Sequence, residues 1–120
     1  MFTLITVIII ICIIYLIKRF LENKKDSYSK LSYNELLQTK EWKAKRQSIL
    51  KRDNNKCVFC GKINNLQVHH KYYSKYPNDI MVTPWNYPDD ALITLCKECH
   101  NQVHNKYKIK VYYRSYSDNY

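Results

Sequence analysis

The sequence predicts a small α+β domain stapled by metal and preceded by one N-terminal transmembrane helix, and three observations carry that reading. Phe2 to Ile17, FTLITVIIIICIIYLI, holds no charged residue and is closed by Lys18 and Arg19. Two C-x-x-C pairs, Cys57 with Cys60 and Cys96 with Cys99, offer the four thiolates of a closed tetrahedral zinc site. Strand-like alternation at Leu66 to His70 and a helical pair, His100 and His104, place all 4 histidines of the chain around that framework.

The apolar run is short for a membrane span. Residues 1–17 give about 25 Å of helix against a hydrocarbon core of roughly 30 Å, so Phe20, Leu21 and snorkelling cations complete residues 1–21 as an anchor. A cleaved signal peptide carries its positive charge before the apolar run and small residues after it. Here the charge follows and no A-x-A site appears, which favours an uncleaved anchor with Cys12 facing lipid. Lys18, Arg19, Lys24 and Lys25 all lie on the C-terminal side, so the positive-inside rule puts the N-terminus outside and the domain in the cytoplasm. Residues 22–31 are polar without apolar period and read as a tether.

Residues 32–107 form the predicted domain. Ser32 and Glu35 match a capping box at a short helix, and Thr39 can cap a second helix from Lys40 to about Arg52. Trp42, Ile49 and Leu50 make the apolar stripe of that second helix, while Lys40, Lys43, Lys45, Arg46, Lys51 and Arg52 crowd its remaining surface. That surface suits phosphate, or is an ordinary solvated face. Asp53 to Lys56 is a turn, and Gly61 after the first knuckle suits a left-handed backbone. Alternation puts Leu66, Val68 and His70 on one side of a strand and Gln67 and His69 on the other, so the adjacent histidines point apart. Lys71 to Asp90, rich in Tyr, Asn and Pro, reads as an ordered loop, and Ala91 to Leu95 as a second strand.

A domain of this size buries a modest core and benefits from a staple. With 1 glycine and 3 prolines, the four cysteines fit a zinc staple better than a loop-rich disulfide scaffold, the alternative for a secreted chain. Four residues apart on a helix, His100 and His104 share a face, whereas Cys99 lies roughly 100° from His100 and about 140° from His104. One helix can therefore serve two metals. Lys and Arg outnumber Asp and Glu by 20 to 10, which makes a polyanion the natural partner, nucleic acid or an acidic lipid surface.

Together, the paired knuckles, Leu66-Gln67-Val68-His69-His70, Leu92-Ile93-Thr94-Leu95 and Cys96-Lys97-Glu98-Cys99-His100 with His104 resemble the HNH endonuclease family, in its members with a four-cysteine brace. Trp42, Arg46 and Leu50 match the helix that often precedes the first knuckle, and the resemblance runs from about Leu36 to Tyr107. It implies a ββα-metal hairpin, phosphodiester hydrolysis of DNA, His70 as general base, and His69, His100 and His104 around one divalent ion. Magnesium, manganese, nickel, cobalt and zinc all stay open for that ion, three imidazoles favouring the later metals over magnesium. Lys43, Arg46, Lys71 and Lys106 are the expected nucleic-acid contacts. Where the family name implies a central Asn, this chain has Ala91, leaving Asp89, Asp90 or Asn86 to orient the base.

Each histidine alone also fits a surface polar residue of a non-catalytic, membrane-tethered zinc module that binds nucleic acid. Residues 108–120 interleave Tyr with Lys and Arg, which suits base stacking and phosphate pairing, or equally an edge strand with a frayed end.

Overall fold

The computed structural model describes residues 1–115, apart from the side chains of residues 25 and 26. It divides into two units, Met1–Ser32 and the chain from Tyr33 onward. The last five positions of the predicted tail, 116–120, lie outside the described residues.

The first unit is a single helix, α1 (Phe2–Ser29, 28 residues), long and apolar enough by length and composition to cross a membrane. Thr6 Oγ1 donates to the Thr3 carbonyl at 2.8 Å, so its hydroxyl needs no partner outside the helix. The polar stretch read as a tether is helical as far as Ser29. It contains no Gly or Pro to stop propagation, and its Glu and Lys residues cost a helix little.

In the second unit a one-turn helix, α2 (Tyr33–Leu36), leads into α3 (Lys40–Arg52). Thr39 caps α3 by accepting from the Trp42 amide at 3.3 Å, and the predicted stripe of Trp42, Ile49 and Leu50 is buried. After the first knuckle, where Gly61 adopts φ +73°, β1 (Leu66–His70) pairs antiparallel with β3 (Leu92–Cys96), in register from Leu66 with Cys96 to His70 with Leu92. Then α4 (Lys97–Lys106) starts at once from β3, with Cys96 as its N-cap.

The segment between β1 and β3 is more ordered than a loop. It contains β2 (Tyr72–Lys75), which pairs in parallel with β4 (Lys110–Tyr113), the middle of the basic and aromatic tail. A 3-10 turn at Asp89–Ala91 precedes β3, so the strand predicted from Ala91 begins one residue later. Trp42, Ile49, Val82, Tyr87, Ala91 and Leu92 form the main core, and Cys57, Leu95, Cys96 and Cys99 a second one beneath the knuckles.

A two-stranded ladder leaves an outer edge on each strand, and here protein groups occupy both edges. On β3 the Thr94 amide donates to Asp53 Oδ2 at 2.9 Å and the Thr94 carbonyl accepts from the Val58 amide at 3.0 Å. Arg52 grips the Asp53 carboxylate at 2.8 and 2.9 Å, reaches the Leu92 carbonyl at 2.7 Å and also donates to the Asp89 carbonyl. On β1 the Leu66 carbonyl accepts from Arg46 Nη2 at 2.9 Å. Burial works against charge on Asp53, yet Arg52 and the Thr94 amide hold its carboxyl below the ordinary range. The side chain therefore stays ionised and accepting.

Removing the Asp53 carboxylate leaves the Thr94 amide without its acceptor. Asp53→Ala is expected to lower unfolding free energy by about 1–3 kcal/mol, measured by urea titration in zinc-containing buffer. Lys45→Ala, which breaks an exposed pair with Asp89, should cost less than about 1 kcal/mol. Equal effects of the two substitutions would show that the Asp53 brace is no stronger than a surface contact.

Candidate metal centres and the adjoining cleft

The two cysteine pairs meet because β3 and the knuckle after α3 are tied together at Thr94. Cys57, Cys60, Cys96 and Cys99 bring their sulfurs within 4.8 Å of one another, with Cys60 Sγ and Cys96 Sγ 3.6 Å apart. Tetrahedral zinc with Zn–S near 2.3 Å requires sulfurs about 3.8 Å apart. Cys96 Sγ also accepts the Cys99 amide at 3.5 Å, at the positive end of the α4 dipole. Burial raises the Cys57 thiol, but backbone amides of Cys96, Cys60 and Phe59 outweigh it and bring the group down to about 6. Burial and the three neighbouring thiols push Cys99 up to about 12. One thiolate forms readily here, and a full set needs a cation among them. The donor set fits a structural zinc.

The second cluster joins β1 to α4. His69, only 3% exposed, lies with its ring centroid 5.0 Å from both His100 and His104, which are themselves 4.5 Å apart. One nitrogen from each ring falls within 4.8 Å of the others. Burial first, and then the neighbouring imidazoles, bring His69 down to about 4; His100 is lowered by burial and by His104. At neutral pH the His69 and His100 rings are uncharged, each with one nitrogen lone pair. His69 Nδ1 is buried and makes no hydrogen bond among the described residues. An orphaned buried nitrogen on a ring that clusters with two further imidazoles fits a divalent ion with three protein ligands and open positions.

His70 points the other way, as alternation requires. Its ring is stacked between Trp42 (centroids 5.3 Å) and Tyr73 (5.4 Å), with Tyr87 edge-on at 4.7 Å. Its Nε2 lies 2.9 Å from the Pro84 carbonyl. A carbonyl only accepts, so Nε2 carries the hydrogen and Nδ1 is left with a lone pair. Burial lowers the ring's proton affinity, and the Lys45 charge adds to that against the Pro84 contact. The four histidines line one cleft of about 350 Å³ together with Tyr33, Trp42, Arg46 and Tyr73.

Other expected site residues are placed less simply. Lys43, Lys71 and Lys106 are exposed, whereas the Arg46 guanidinium is committed to the Leu66 carbonyl at the cleft wall. Acidic groups also partly neutralise the α3 cations: Lys45 pairs with Asp89 from across the fold and Arg52 with Asp53, the C-cap of its own helix. Of the groups expected to orient His70, Asp89 is taken by Lys45, and the contact comes from the Pro84 backbone. No local pattern could reveal it, since the two residues are 14 apart and the acceptor is a main-chain atom. The aromatic packing of Tyr73 and Tyr87 around His70 was equally hidden, although a Tyr-rich stretch directly after a paired His was its one sequence signal.

An antiparallel strand pair leading into a helix, with a four-cysteine cluster on one side and three histidines on the other, defines a small α+β domain with two candidate metal centres. A protein of Lactococcus phage SK1 described as a probable HNH endonuclease is 36% identical over 73 residues, which cover 58% of this chain and 74% of that protein. The chain belongs to the HNH endonuclease family. No family model and no solved structure matches it.

The clusters make separable predictions. Cys57→Ser should abolish cooperative unfolding and zinc retention, because a structural zinc supplies about 10–16 kcal/mol of folding free energy in small domains. His104→Ala should retain the zinc and the cooperative melt while losing a second equivalent of bound metal, read by elemental analysis after dialysis. Loss of the cysteine-bound zinc in His104→Ala would mean that the two centres are not independent.

Proposed function

We propose that this chain is a metal-dependent HNH-type endonuclease that hydrolyses phosphodiester bonds of DNA while tethered to a membrane. The observation that carries the reading is His70: a buried imidazole with its tautomer fixed by the Pro84 carbonyl, one residue from a three-histidine cluster and lining the same cleft. Family membership supports the same chemistry, as does the excess of 20 basic over 10 acidic residues.

Hydrolysis forms a bond from a water oxygen to phosphorus and breaks the bond from phosphorus to the 3′ oxygen. His70 Nδ1 takes the water proton as the new bond forms, while Nε2–H stays on the Pro84 carbonyl and steadies the imidazolium. Stacking between Trp42 and Tyr73 prevents the ring from turning and presenting the wrong nitrogen. His69, His100 and His104 would hold a divalent ion, which supplies charge neutralisation on the phosphate and on the departing oxygen. Magnesium, manganese, nickel and zinc are all consistent with this donor set, and three imidazoles weigh against magnesium. Lys43, Lys71 and Lys106 are exposed, which supports phosphate contacts by these cations.

In this reading α1 is a single-pass anchor through residues 2–17, with the N-terminus outside and the nuclease domain cytoplasmic, an orientation that the positive charge of Lys18 and Arg19 supports. Full-length protein should then stay with membranes through an alkaline carbonate wash, and a chain lacking residues 2–21 should be released.

The decisive test is nicking of supercoiled plasmid by the detergent-solubilised chain across magnesium, manganese, nickel and zinc. Wild type is expected to nick, and His70→Ala to lose at least about a hundredfold in rate, the lower end for a general base, with metal content unchanged. Binding without cutting under every metal, with zinc intact, would instead make the chain a non-catalytic nucleic-acid-binding module.

A further inference from the structure

The β2–β4 sheet is not needed to build either metal cluster, yet it begins two residues after His70. Its parallel register sets Tyr73 beside Val111 and Lys75 beside Tyr113. Side chains alternate along each strand, so Tyr73, Lys75, Val111 and Tyr113 share one face and Tyr72, Ser74, Lys110 and Tyr112 share the other. The contact between the Tyr72 and Tyr112 rings, at 5.4 Å, agrees with that division. Ser74 is buried and Tyr72 packs near Tyr87, so on β2 the second of these faces is turned toward the core, whereas all four residues of β4 are exposed.

The first face leads out of the cleft. Tyr73 lines the cleft and stacks on His70, while farther along Val111 is 48% exposed and Tyr113 is 69% exposed. Strand spacing and rise place Tyr113 about 8 Å from Tyr73, one strand across and two residues along. The strand that carries Tyr113 belongs to a run, Lys106 to Ser115, with Lys106, Lys108, Lys110 and Arg114 and no acidic residue. Exposed aromatic rings in a cationic strand match what unpaired bases and their phosphates require, whereas a duplex keeps its base faces stacked inside.

Resting on the nucleic-acid reading above, we propose that this face is a stacking platform for unpaired bases, and that the enzyme takes strands single-stranded beside the cut. Tyr113 stacks a base outside the cleft, and the exposed Lys108, just before β4, holds the backbone that runs inward toward His70. Substrates with an exposed single strand next to the cleaved bond are then preferred over continuous duplex.

The test measures binding apart from cleavage, by fluorescence anisotropy of the full-length chain in detergent without added divalent ion. The probes are a labelled 12-nucleotide oligothymidylate and the matching duplex. Tyr113→Ala should weaken single-strand binding about tenfold and leave duplex binding within about twofold, while Tyr113→Phe keeps wild-type affinity for both. Lys108→Ala should instead lower the salt dependence of binding, with a slope change of about 0.7. With its ring 69% exposed, Tyr113 can be lost without unfolding the domain, which a retained zinc equivalent verifies. Wild-type single-strand affinity in Tyr113→Ala overturns the proposal, as does an equal loss for strand and duplex. If wild type binds the oligonucleotide but never nicks DNA, the platform stands and the nuclease reading falls. If it nicks plasmid and Tyr113→Ala changes no affinity, the nuclease stands and the platform falls.

Discussion

A slip of one residue between β1 and β3 would turn His69 toward Trp42 and His70 toward α4, because successive side chains on a strand take opposite faces. Both candidate roles would be lost together, without any change in sequence. The register is therefore the constraint on which the rest depends, and it is held from several sides. Leu66 lies opposite Cys96, so the first residue of β1 is locked to a member of the cysteine cluster. Asp53 and Val58 hold Thr94 from the far edge, and Arg46 holds Leu66 from the near one. A slip of either strand breaks the contacts made on it, since each uses an outward-facing backbone group that the slip would turn inward.

The same arrangement explains why α4 serves both clusters. Cys96 ends β3 and caps α4 in one step, leaving no loop whose flexibility could blur the position of His100. Once the cysteines fix the first turn, helix geometry alone carries His100 and His104 to the side facing β1. The cysteine cluster thus acts on the histidine cluster through rigid connection rather than contact. Binding a cation among four thiols, one brought down to about 6 and another pushed up to about 12, converts an electrostatic conflict into the brace for that helix.

What could be read in the sequence was what local chemistry specifies. The Thr39 cap, the stripe of Trp42, Ile49 and Leu50, the left-handed Gly61 and the opposed His69 and His70 each follow from neighbours within a turn or a pair of residues. The bringing together of Cys57, Cys60, Cys96 and Cys99 was legible because C-x-x-C spacing is itself a geometric statement. The parallel pairing of β2 with β4 was not, since it joins segments 38 positions apart in register and neither strand has a clean apolar alternation. Nor was the partner of Lys45, because Asp89 reaches it only after the chain has gone round the core. The polar end of α1 illustrates the converse: a segment without apolar period continued a helix already nucleated, which costs far less than starting one.

Ala91 is the position where sequence pattern and structure pull hardest against each other. An asparagine there would be the expected partner for His70, yet the residue is 2% exposed and packs with Trp42, Ile49, Val82, Tyr87 and Leu92. A carboxamide in that apolar group has to find a partner for each of its polar atoms or lose about 1–3 kcal/mol for each one left unmade. The fold avoids this demand by using a main-chain acceptor. Pro84 is itself buried, and its carbonyl holds the His70 Nε2 hydrogen while Ala91 fills space. A proline supplies that acceptor with a fixed φ and no N–H of its own to satisfy. The substitution at position 91 thus takes away a side-chain contact without taking away the tautomer, and the proposed base keeps the lone pair on which its role depends.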